Sequence, residues 1–550
     1  MSSKRHVFAT TIAFVFLFVS VATDAAGRTP VRGNNGVVAS SSALASEVGV
    51  ETLRKGGNAV DAAVATAFAL AVTWPTAGNI GGGGFLLYHD TDGYAITFDF
   101  REKAPLAATE DMYLDKDGNV RDNSNHDGIL AVGVPGTVAG LEMAHRKFGR
   151  LKWANLVAPA VKLARDGIPI TWKLHDDFRN RKSHWDKYPS SAAVFLKADG
   201  SFYQPGDRWV QKDLAKTLQR IQRQGKAGFY SGRTAELIAE FMAENGGIIT
   251  LEDLQQYEAV QREPVRGTYR DYEIVSMPPP SSGGVVLVEM LNILEGFDLA
   301  AAGHNSALYL HLLTESMRRG YADRAEFLGD PDFNEDIPLE RLTSKEHAAR
   351  LRQSIHMSRA SESDPSLFAG RYESPETTHF SVVDKDGTMV SLTYTLEQGY
   401  GSKIVVAGAG FLLNNEMGDF NAQPGVTDVD GRIGTKPNRI RPGQRMLSSM
   451  TPTIVAQDGV PVFATGTPGG KTIINTTMQT ILNVIDHGMT IGEAIEAPRI
   501  HHQWLPDRTL MERRGISPDT LKLYEDLGHT VRHTDTIGSA MGVYHDRSNR

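Results

Sequence analysis

The stretch Glu376-Thr377-Thr378-His379-Phe380-Ser381-Val382-Val383-Asp384 decides how this chain is built. A polar segment spotted with Pro and Ser precedes it, and the pattern then changes to a strand over 377–383, a turn over 384–387 and a strand over 388–396. Pairing residue 383 with residue 388 places 376 and 377 opposite 395 and 394. We therefore expect a hairpin in which Thr395 lies beside the Glu376–Thr377 bond, to within one residue of register.

This stretch closely resembles the processing site of the gamma-glutamyltransferase family, whose members are N-terminal nucleophile hydrolases. The resemblance implies that the chain cuts itself between Glu376 and Thr377, into a large subunit over 27–376 and a small subunit over 377–550; residues 1–26 are interpreted as a signal peptide from their own pattern. It also implies an α+β fold, a four-layer α-β-β-α sandwich formed by both fragments. A Thr-Thr pair alone is ordinary strand sequence, and further matches over residues 30 to 545 carry the resemblance.

The chemistry of a threonine explains why such a cut would be needed. A threonine hydroxyl is a weak nucleophile without an adjacent base, and an internal peptide nitrogen is not basic. A freed α-amino group has a pKa of roughly 7.7 to 8.0, close to working pH. Cleavage therefore creates the base and exposes the nucleophile in one step. The resemblance gives Thr395 the role of orienting Thr377.

The first residues have the pattern of a secretory signal peptide. Lys4 and Arg5 precede an apolar run over 7–22, and small residues follow at Ala25 and Ala26. The run is shorter than the ~20 residues that a spanning helix needs, although a retained membrane anchor remains the alternative. We expect an exported protein, periplasmic or secreted, without a stable membrane anchor.

Composition excludes several classes of function. The chain of 550 residues has 57 Lys and Arg against 65 Asp and Glu, so no basic excess points to nucleic acid. It contains 0 Cys, which excludes disulfides, thiolate catalysis and cysteine-bound zinc. The adjacent histidines His501 and His502 make a poor metal pair on a strand or a helix. We therefore predict no cofactor and no metal site.

Two features of the first half point to the site. Four glycines over 81–84 precede a strand rather than joining a strand to a helix, so close backbone packing fits them better than a nucleotide loop. Arg101 follows the strand over 94–100, where an arginine can present its fork to a carboxylate. Taken alone, such an arginine is usually a surface charge. The family resemblance implies that it holds the α-carboxylate of the substrate.

Acidic residues follow the hairpin. Glu416 and Asp419 lie in the run Asn414-Asn415-Glu416-Met417-Gly418-Asp419, and loop acids of this kind are usually solvated. The resemblance implies that both hold the α-ammonium of the glutamyl group with help from Glu397. Three carboxylates around one ammonium would favour a cationic group and penalise acyl donors that lack the amine.

A long loop over 423–444 occupies the position of the family's substrate lid. It contains no aromatic residue, and Asp430 stands near the position where several family members have a gating tyrosine. We therefore expect incomplete closure, so that hydrolysis by entering water competes with transfer to an amine. The polar segment over 358–366 is expected to be mobile.

Two further loops complete the predicted site. The resemblance implies that Ser448 and Ser449 bind the donor carboxylate and that Gly469 and Gly470 form an oxyanion hole. The segment Gly469-Gly470-Lys471-Thr472 also looks like a phosphate loop, but Thr465 stands where G-x-x-x-x-G-K-[ST] requires its first glycine.

Together these features predict a glutathione hydrolase or gamma-glutamyl transpeptidase. Its substrates would be glutathione or other gamma-glutamyl amides, with water, an amino acid or a peptide as acceptor, and its two subunits would form a heterodimer. Within the same fold, a cephalosporin or glutaryl acylase or a poly-gamma-glutamate-cleaving enzyme remains open. A nucleotide-binding protein using Lys471 and Thr472, or an uncut non-catalytic binding protein, are the alternatives from other classes.

Overall fold

The computed structural model describes residues 30–364, 377–426 and 434–547. Three predicted features lie outside these residues: the signal peptide over 1–26, Glu376 on the far side of the predicted cut, and Asp430 in the lid loop. Within the described part of the chain, no helix is both long and apolar enough to cross a membrane.

Strands and helices occur along the whole described chain, often in runs of one kind. The strands are β1 Gly36–Ala39, β2 Gly83–His89, β3 Ala95–Phe100, β4 Ile168–Pro169, β5 Arg208–Trp209, β6 Val260–Arg262, β7 Val265–Tyr269, β8 Tyr272–Ser276, β9 Thr378–Asp384, β10 Met389–Thr395, β11 Thr453–Gln457, β12 Val460–Gly466, β13 Ile500–His501, β14 Thr509–Glu512, β15 Val531–Thr534 and β16 Met541–Tyr544. The α-helices are α1 Ala43–Arg54, α2 Ala59–Thr73, α3 Thr137–Phe148, α4 Trp153–Asp166, α5 Trp172–Asn180, α6 Lys182–Lys187, α7 Pro189–Phe195, α8 Lys212–Gln224, α9 Ala227–Tyr230, α10 Gly232–Glu244, α11 Leu251–Gln255, α12 Gly283–Leu294, α13 Leu299–Ala302, α14 Ala307–Phe327, α15 Leu339–Leu342, α16 Lys345–Gln353, α17 Thr472–Ile485, α18 Ile491–Glu496 and α19 Pro518–Asp526.

The predicted hairpin is present, with its register shifted by one residue. β9 and β10 pair Val383 with Met389 and Thr378 with Tyr394. The loop holds three residues rather than four, because Gly387 adopts a left-handed φ of 86° and the Asp384 carboxylate accepts the backbone N–H of Thr388 at 3.1 Å. The shift brings residue 377 opposite 395, instead of opposite 394 as the sequence predicted.

Two sheets lie at the centre of the fold. One has the strand order β1-β9-β10-β2-β3-β6 and the other β16-β12-β11-β8-β7. Apolar side chains of both sheets meet in one buried cluster between them, including Leu87, Val383 and Met389 from the first sheet and Ile454 and Ala464 from the second. Such face-to-face packing forms a sandwich.

Helices cover the outer face of each sheet. α2 and α3 pack on the first sheet, and α12 and α17 pack on the second. Alternation along β10 separates the two faces, since Leu392 and Tyr394 belong to the cluster under α2 whereas Met389 faces the second sheet. The order helix, sheet, sheet, helix confirms the predicted α-β-β-α sandwich.

The helix α2 illustrates how sequence sets this packing. Asn58 caps it through a hydrogen bond from the Asp61 backbone N–H, and the Asp61 carboxylate accepts the Asn58 N–H in return. Every residue of α2 is buried. Its alanines allow α1, α4 and the first sheet to approach it from several sides.

The segment before the predicted cut differs from the expectation. Residues 358–364 were expected to be mobile, yet the described part of this segment is bound to the body of the protein. The Ser361 N–H donates to Glu315 at 3.1 Å, and the Ser363 N–H donates to Asp507 at 2.7 Å. The acceptors are the buried Glu315 and the more exposed Asp507, and the composition of the segment itself does not indicate either of them.

Candidate active site

A cleft of about 260 Å³ is lined by residues from both halves of the chain. It is lined by Arg101, Thr377, Thr395, Glu397, Glu416, Asp419, Ser448, Ser449, Met450, Gly470 and Ile473. These include every described residue for which the sequence predicted a site role except Gly469. Residues separated by more than 300 positions therefore meet in one place, as expected for a binding site rather than for scattered surface charges.

Thr377 and Thr395 mark neighbouring ends of the central hairpin. Thr377 directly precedes β9 and is 8% exposed, and Thr395 is the last residue of β10. The Glu397 backbone N–H donates to Thr395 Oγ1 at 3.0 Å, and Asn79 Nδ2 donates to the Thr395 carbonyl at 2.8 Å. Hydrogen bonds thus hold both the hydroxyl and the backbone of Thr395, next to the start of β9, which Thr377 precedes.

The glycine run over 81–84 allows the chain to pass this close. A Cβ at Gly82 would lie 2.1 Å from the Thr395 carbonyl oxygen, and one at Gly83 would lie 2.4 Å from the carbonyl oxygen of Phe100. Any larger residue would displace β10 from β2. The prediction of close backbone packing near a site is confirmed.

Arg101 lies at the centre of a buried ion cluster. Its Nη1 contacts the carboxylate of Glu416 and its Nη2 contacts the carboxylate of Asp419. Nε donates to the Met446 carbonyl at 3.3 Å and Nη2 to the Leu447 carbonyl at 3.2 Å. Burial works to lower the pKa of Arg101, but the neighbouring carboxylates outweigh it and keep the guanidinium charged.

Carboxylates outnumber cations in this cluster. Glu102 and Glu397 join Glu416 and Asp419 around the single guanidinium of Arg101. Burial raises the pKa of Glu416 well above its usual range despite Arg101, with the neighbouring acids adding to the rise. Burial likewise raises the pKa of Glu102 to about 7. The site therefore has capacity to bind a further cation.

Glu397 is held in an unusual backbone conformation. Its φ is 77°, in the left-handed region that few non-glycine residues adopt. Neither of its carboxylate oxygens accepts a hydrogen bond within the described residues, and Oε2 lies 3.6 Å from Nδ1 of His126. A strained residue with a buried, available carboxylate is typical of a binding site.

His126 is a site residue that the sequence analysis missed. Burial acts to lower its pKa, but Glu397 and Asp419 outweigh burial and raise the pKa above its ordinary value. Asn415 fixes the segment by donating to the His126 carbonyl at 3.0 Å. A lone histidine between a 3₁₀ turn and a loop gives no sequence signal, since only the fold brings it to Glu397.

Ser448 and Ser449 lie on a loop braced from the first half of the chain. Ser282 donates to the Ser448 carbonyl through its backbone N–H at 2.8 Å and its hydroxyl at 2.7 Å. Arg324 on α14 donates to Ser282 Oγ at 2.8 Å and to Ser449 Oγ at 2.9 Å. The sequence analysis assigned no role to 278–284 and did not single out Arg324, although both position this loop.

The Gly469-Gly470 loop connects β12 to α17. Both glycines adopt left-handed φ values, 141° and 56°, which explains why the loop contains glycine here. Gly470 lines the cleft, at the N-terminus of a helix of 14 residues. The adjoining Lys471 is 7% exposed, and its carbonyl accepts the hydroxyl of Tyr321.

Three buried histidines, His379, His501 and His502, have protein partners. His379 in β9 contacts the hydroxyls of Thr393 at 2.8 Å and Ser381 at 2.9 Å, and burial lowers its pKa to about 3. Burial also lowers the pKa of His501 to about 3, and its Nδ1 meets Asn475 at 2.7 Å. His502 meets Asp507 at 3.1 Å. His379 and His501 are neutral structural groups.

A double sheet flanked by helices, with a threonine at the start of a central strand in the cleft, is the arrangement of the N-terminal nucleophile hydrolases. Comparison with known proteins narrows this class. A family model described as gamma-glutamyltranspeptidase matches residues 45–549. The chain is 48% identical over 518 residues to the glutathione hydrolase proenzyme of Escherichia coli (strain K12), covering 94% of this chain and 89% of that protein.

Solved structures agree with this placement. The cephalosporin acylase from Bacillus halodurans has a TM-score of 0.84 at 27% identity and covers 97% of this chain and 96% of its own. The gamma-glutamyltranspeptidase of Helicobacter pylori has a TM-score of 0.59 at 47% identity, covering 60% of this chain and 95% of its own. The chain belongs to the gamma-glutamyltranspeptidase family, and it is an enzyme of the N-terminal nucleophile hydrolase class.

Proposed function

We propose that this protein is a glutathione hydrolase that transfers the gamma-glutamyl group of glutathione or related amides through Thr377. One observation carries the proposal: the cleft sets Thr377 and Thr395 beside a buried guanidinium and an excess of carboxylates. An α-amino acid head group carries one carboxylate and one ammonium, and this cluster offers a partner for each.

The first step of the proposal is cleavage between Glu376 and Thr377. Relatives are named proenzymes, and cleavage would free the α-amine of Thr377. The resulting subunits, 27–376 and 377–550, would stay together as a heterodimer because each sheet contains strands from both. In the first sheet β9 and β10 lie between β1 and β2, and in the second sheet β11 of the small subunit pairs with β8 of the large subunit.

The second step is acyl transfer. Thr377 Oγ1 attacks the γ-carbonyl carbon, the Thr377 α-amine takes the hydroxyl proton, and the backbone N–H groups of Gly469 and Gly470 stabilise the oxyanion. The C–N bond of the substrate then breaks and its amine leaves with a proton. Water or the amine of an amino acid or peptide attacks the ester and restores Thr377. Thr395 holds the nucleophile in place.

Substrate selection would rest on the ion cluster. Arg101 would bind the α-carboxylate of the donor, with Ser448 and Ser449 as hydrogen-bond donors. Glu397, Glu416 and Asp419 would bind the α-ammonium. Arg101 contacts Glu416 and Asp419 directly. A zwitterionic donor would replace these ion pairs, since its carboxylate would pair with Arg101 and its ammonium with the two acids.

The acid excess favours gamma-glutamyl donors over the other substrates considered. A glutaryl group lacks the ammonium, so it would leave the buried acids unpaired. The similarity to an acylase proenzyme is at 37% identity, against 48% for the glutathione hydrolase proenzyme. An exported protein, as the predicted signal peptide implies, also meets little ATP, which disfavours the nucleotide-binding alternative.

The test compares two neighbouring threonines. Thr377→Ala should yield one uncut chain, smaller than the full 60.0 kDa only by the removed signal peptide, and no hydrolysis of a γ-glutamyl anilide. Thr377→Ser should still be cut. Thr378→Ala removes the same atoms one residue later, where the hydroxyl contacts Ser41 at 2.9 Å, and should give two fragments. Two normal fragments from Thr377→Ala would refute the assignment.

A second assay separates the donor classes. The mature enzyme should cleave a γ-glutamyl anilide and leave the glutaryl anilide, which differs by the α-ammonium, nearly untouched. Equal rates on both substrates would instead support the acylase alternative.

A further inference from the structure

A second group of ionisable side chains lies in the helices outside the second sheet. Glu289 of α12, Asp323 of α14 and His347 of α16 each offer one ligand atom, and these atoms lie within 4.8 Å of one another. His347 Nε2 is 2.6 Å from Asp323 Oδ2 and 3.9 Å from Glu289 Oε1. The reaction proposed for the cleft uses none of these residues.

Glu289 is the residue that this arrangement leaves unexplained. It is 0% exposed, and neither of its carboxylate oxygens has a hydrogen-bond partner among the described residues. Burial of an unpaired carboxylate is costly, so a buried acid is normally paired, protonated or bound to a cation. Burial first, and then the nearby Asp323 carboxylate, which either repels an ionised Glu289 or shares a proton with it, raise the pKa of Glu289 well above its usual range. The two carboxylates therefore need a proton or a cation between them.

In a neighbouring cluster of similar composition, other protein groups pair with the ionisable side chains. His311, Glu315 and His529 also bring their ligand atoms within 4.8 Å of one another. Here the two imidazoles contact each other at 2.7 Å, and Glu315 pairs with Arg319 at 2.7 Å and accepts the Ser361 N–H. Protein groups therefore meet the needs of this cluster, and it requires no ion.

We propose that Glu289, Asp323 and His347 form a binding site for a divalent transition-metal ion. Zinc at about 2.1 Å from each ligand in a tetrahedron would set its ligand atoms about 3.4 Å apart. The distances of 2.6 Å and 3.9 Å bracket that spacing. One imidazole and two carboxylates suit Zn²⁺ or Mn²⁺ better than Mg²⁺. The side chain of Asp323 is 16% exposed, which leaves room for a water ligand.

Such an ion would connect three helices that support the cleft. Asp323 adjoins Arg324, which bonds Ser282 and Ser449. Glu289 lies on the helix that Ser282 caps. An ion at this site would therefore be structural, and it would fix the helices that brace the serine loop.

The test measures metal in the purified full chain after chelation and reloading. Reloading with Zn²⁺, then separately with Mn²⁺, followed by gel filtration and elemental analysis should give one bound equivalent. The ion should also raise the thermal unfolding midpoint. Glu289→Gln keeps the shape and removes the charge, so it should weaken binding at least tenfold and abolish the thermal shift while the chain is still cut.

Two further variants keep the result decisive. Glu326→Gln removes a half-buried acid close to Asp323 and should bind metal as the parent protein does. His347→Gln should lose binding, and it serves as the second ligand variant if Glu289→Gln fails to fold. Equal binding by the parent and both ligand variants would overturn the proposal. Absence of binding in the parent would overturn it too, and would show that Glu289 holds a proton instead.

Discussion

Arg101 and Glu416 form an ion pair in which each side chain is only 1% exposed. Arg101 comes from the region before the predicted cut and Glu416 from the region after it, so the pair joins the two proposed subunits at the floor of the cleft. Two charges taken out of water at this depth depend on each other. Removing one partner leaves the other buried and unpaired, which makes the pair a direct test of the site.

Arg101→Met should both destabilise the protein and weaken donor binding. Loss of the guanidinium removes the cation that pairs with Glu416 and Asp419, which should lower the free energy of unfolding by about 3–5 kcal/mol. Urea unfolding and the KM for a γ-glutamyl anilide measure the two effects. Arg54→Met breaks the exposed pair with Glu51, with side chains 69% and 44% exposed, and should cost less than about 1 kcal/mol. Similar losses in both variants would contradict a buried cluster.

His126 should make stability depend on pH. Its pKa is raised in the folded protein, mainly because Glu397 and Asp419 outweigh burial. The stabilisation is therefore complete below the unfolded value of about 6.5 and is lost as pH rises through the higher folded value. Unfolding midpoints measured across this window should fall for the parent protein and stay flatter for His126→Asn. An identical slope in both proteins would show that another group titrates.

The same histidine should affect donor binding. Protonated His126 forms an ion pair with Glu397, whereas a neutral imidazole leaves the Glu397 carboxylate available for the ammonium of the donor. The KM for a γ-glutamyl anilide should therefore fall as pH rises through the folded pKa of His126, with kcat following a separate profile. In His126→Asn the KM step should disappear. Persistence of the step would assign it elsewhere.

Gly82→Ala should disrupt the cleft by displacing β10. The added Cβ would lie 2.1 Å from the Thr395 carbonyl oxygen, so β10 must move, at a cost of about 3 kcal/mol or more. We expect slowed cleavage and a lower unfolding midpoint. Gly200→Ala is the matched control, because its φ of 80° is strained but nothing lies within 4 Å of the added atom; its cost should be about 1 kcal/mol.

Asp507→Asn should slow the cut. Asp507 accepts the Ser363 N–H at 2.7 Å and pairs with Arg318, so it holds the segment that leads to the scissile bond. Although burial acts the other way, His502 and Arg318 lower the pKa of Asp507, which keeps it charged at neutral pH. A time course of fragment formation on a denaturing gel should show a several-fold slower cut. Exposed Asp519→Asn should match the parent protein.

Local sequence predicted the elements of the fold well. The strand, turn and strand around Asp384 and the glycine run over 81–84 appear where their patterns placed them. The hairpin register lies within the one residue that the prediction allowed, because a three-residue loop closed by Gly387 satisfies the same turn residues as a four-residue one.

By itself the sequence determined which residue types are available and the order in which strands and helices form, since both depend on neighbours along the chain. The family motifs also pointed to the residues that line the cleft. Only the tertiary structure decided which distant groups meet: His126 lies beside Glu397, Arg324 donates to Ser449, and Asp507 accepts the N–H of Ser363. Those contacts depend on how two sheets and their helices pack, because burial and electrostatic pairing act between residues hundreds of positions apart.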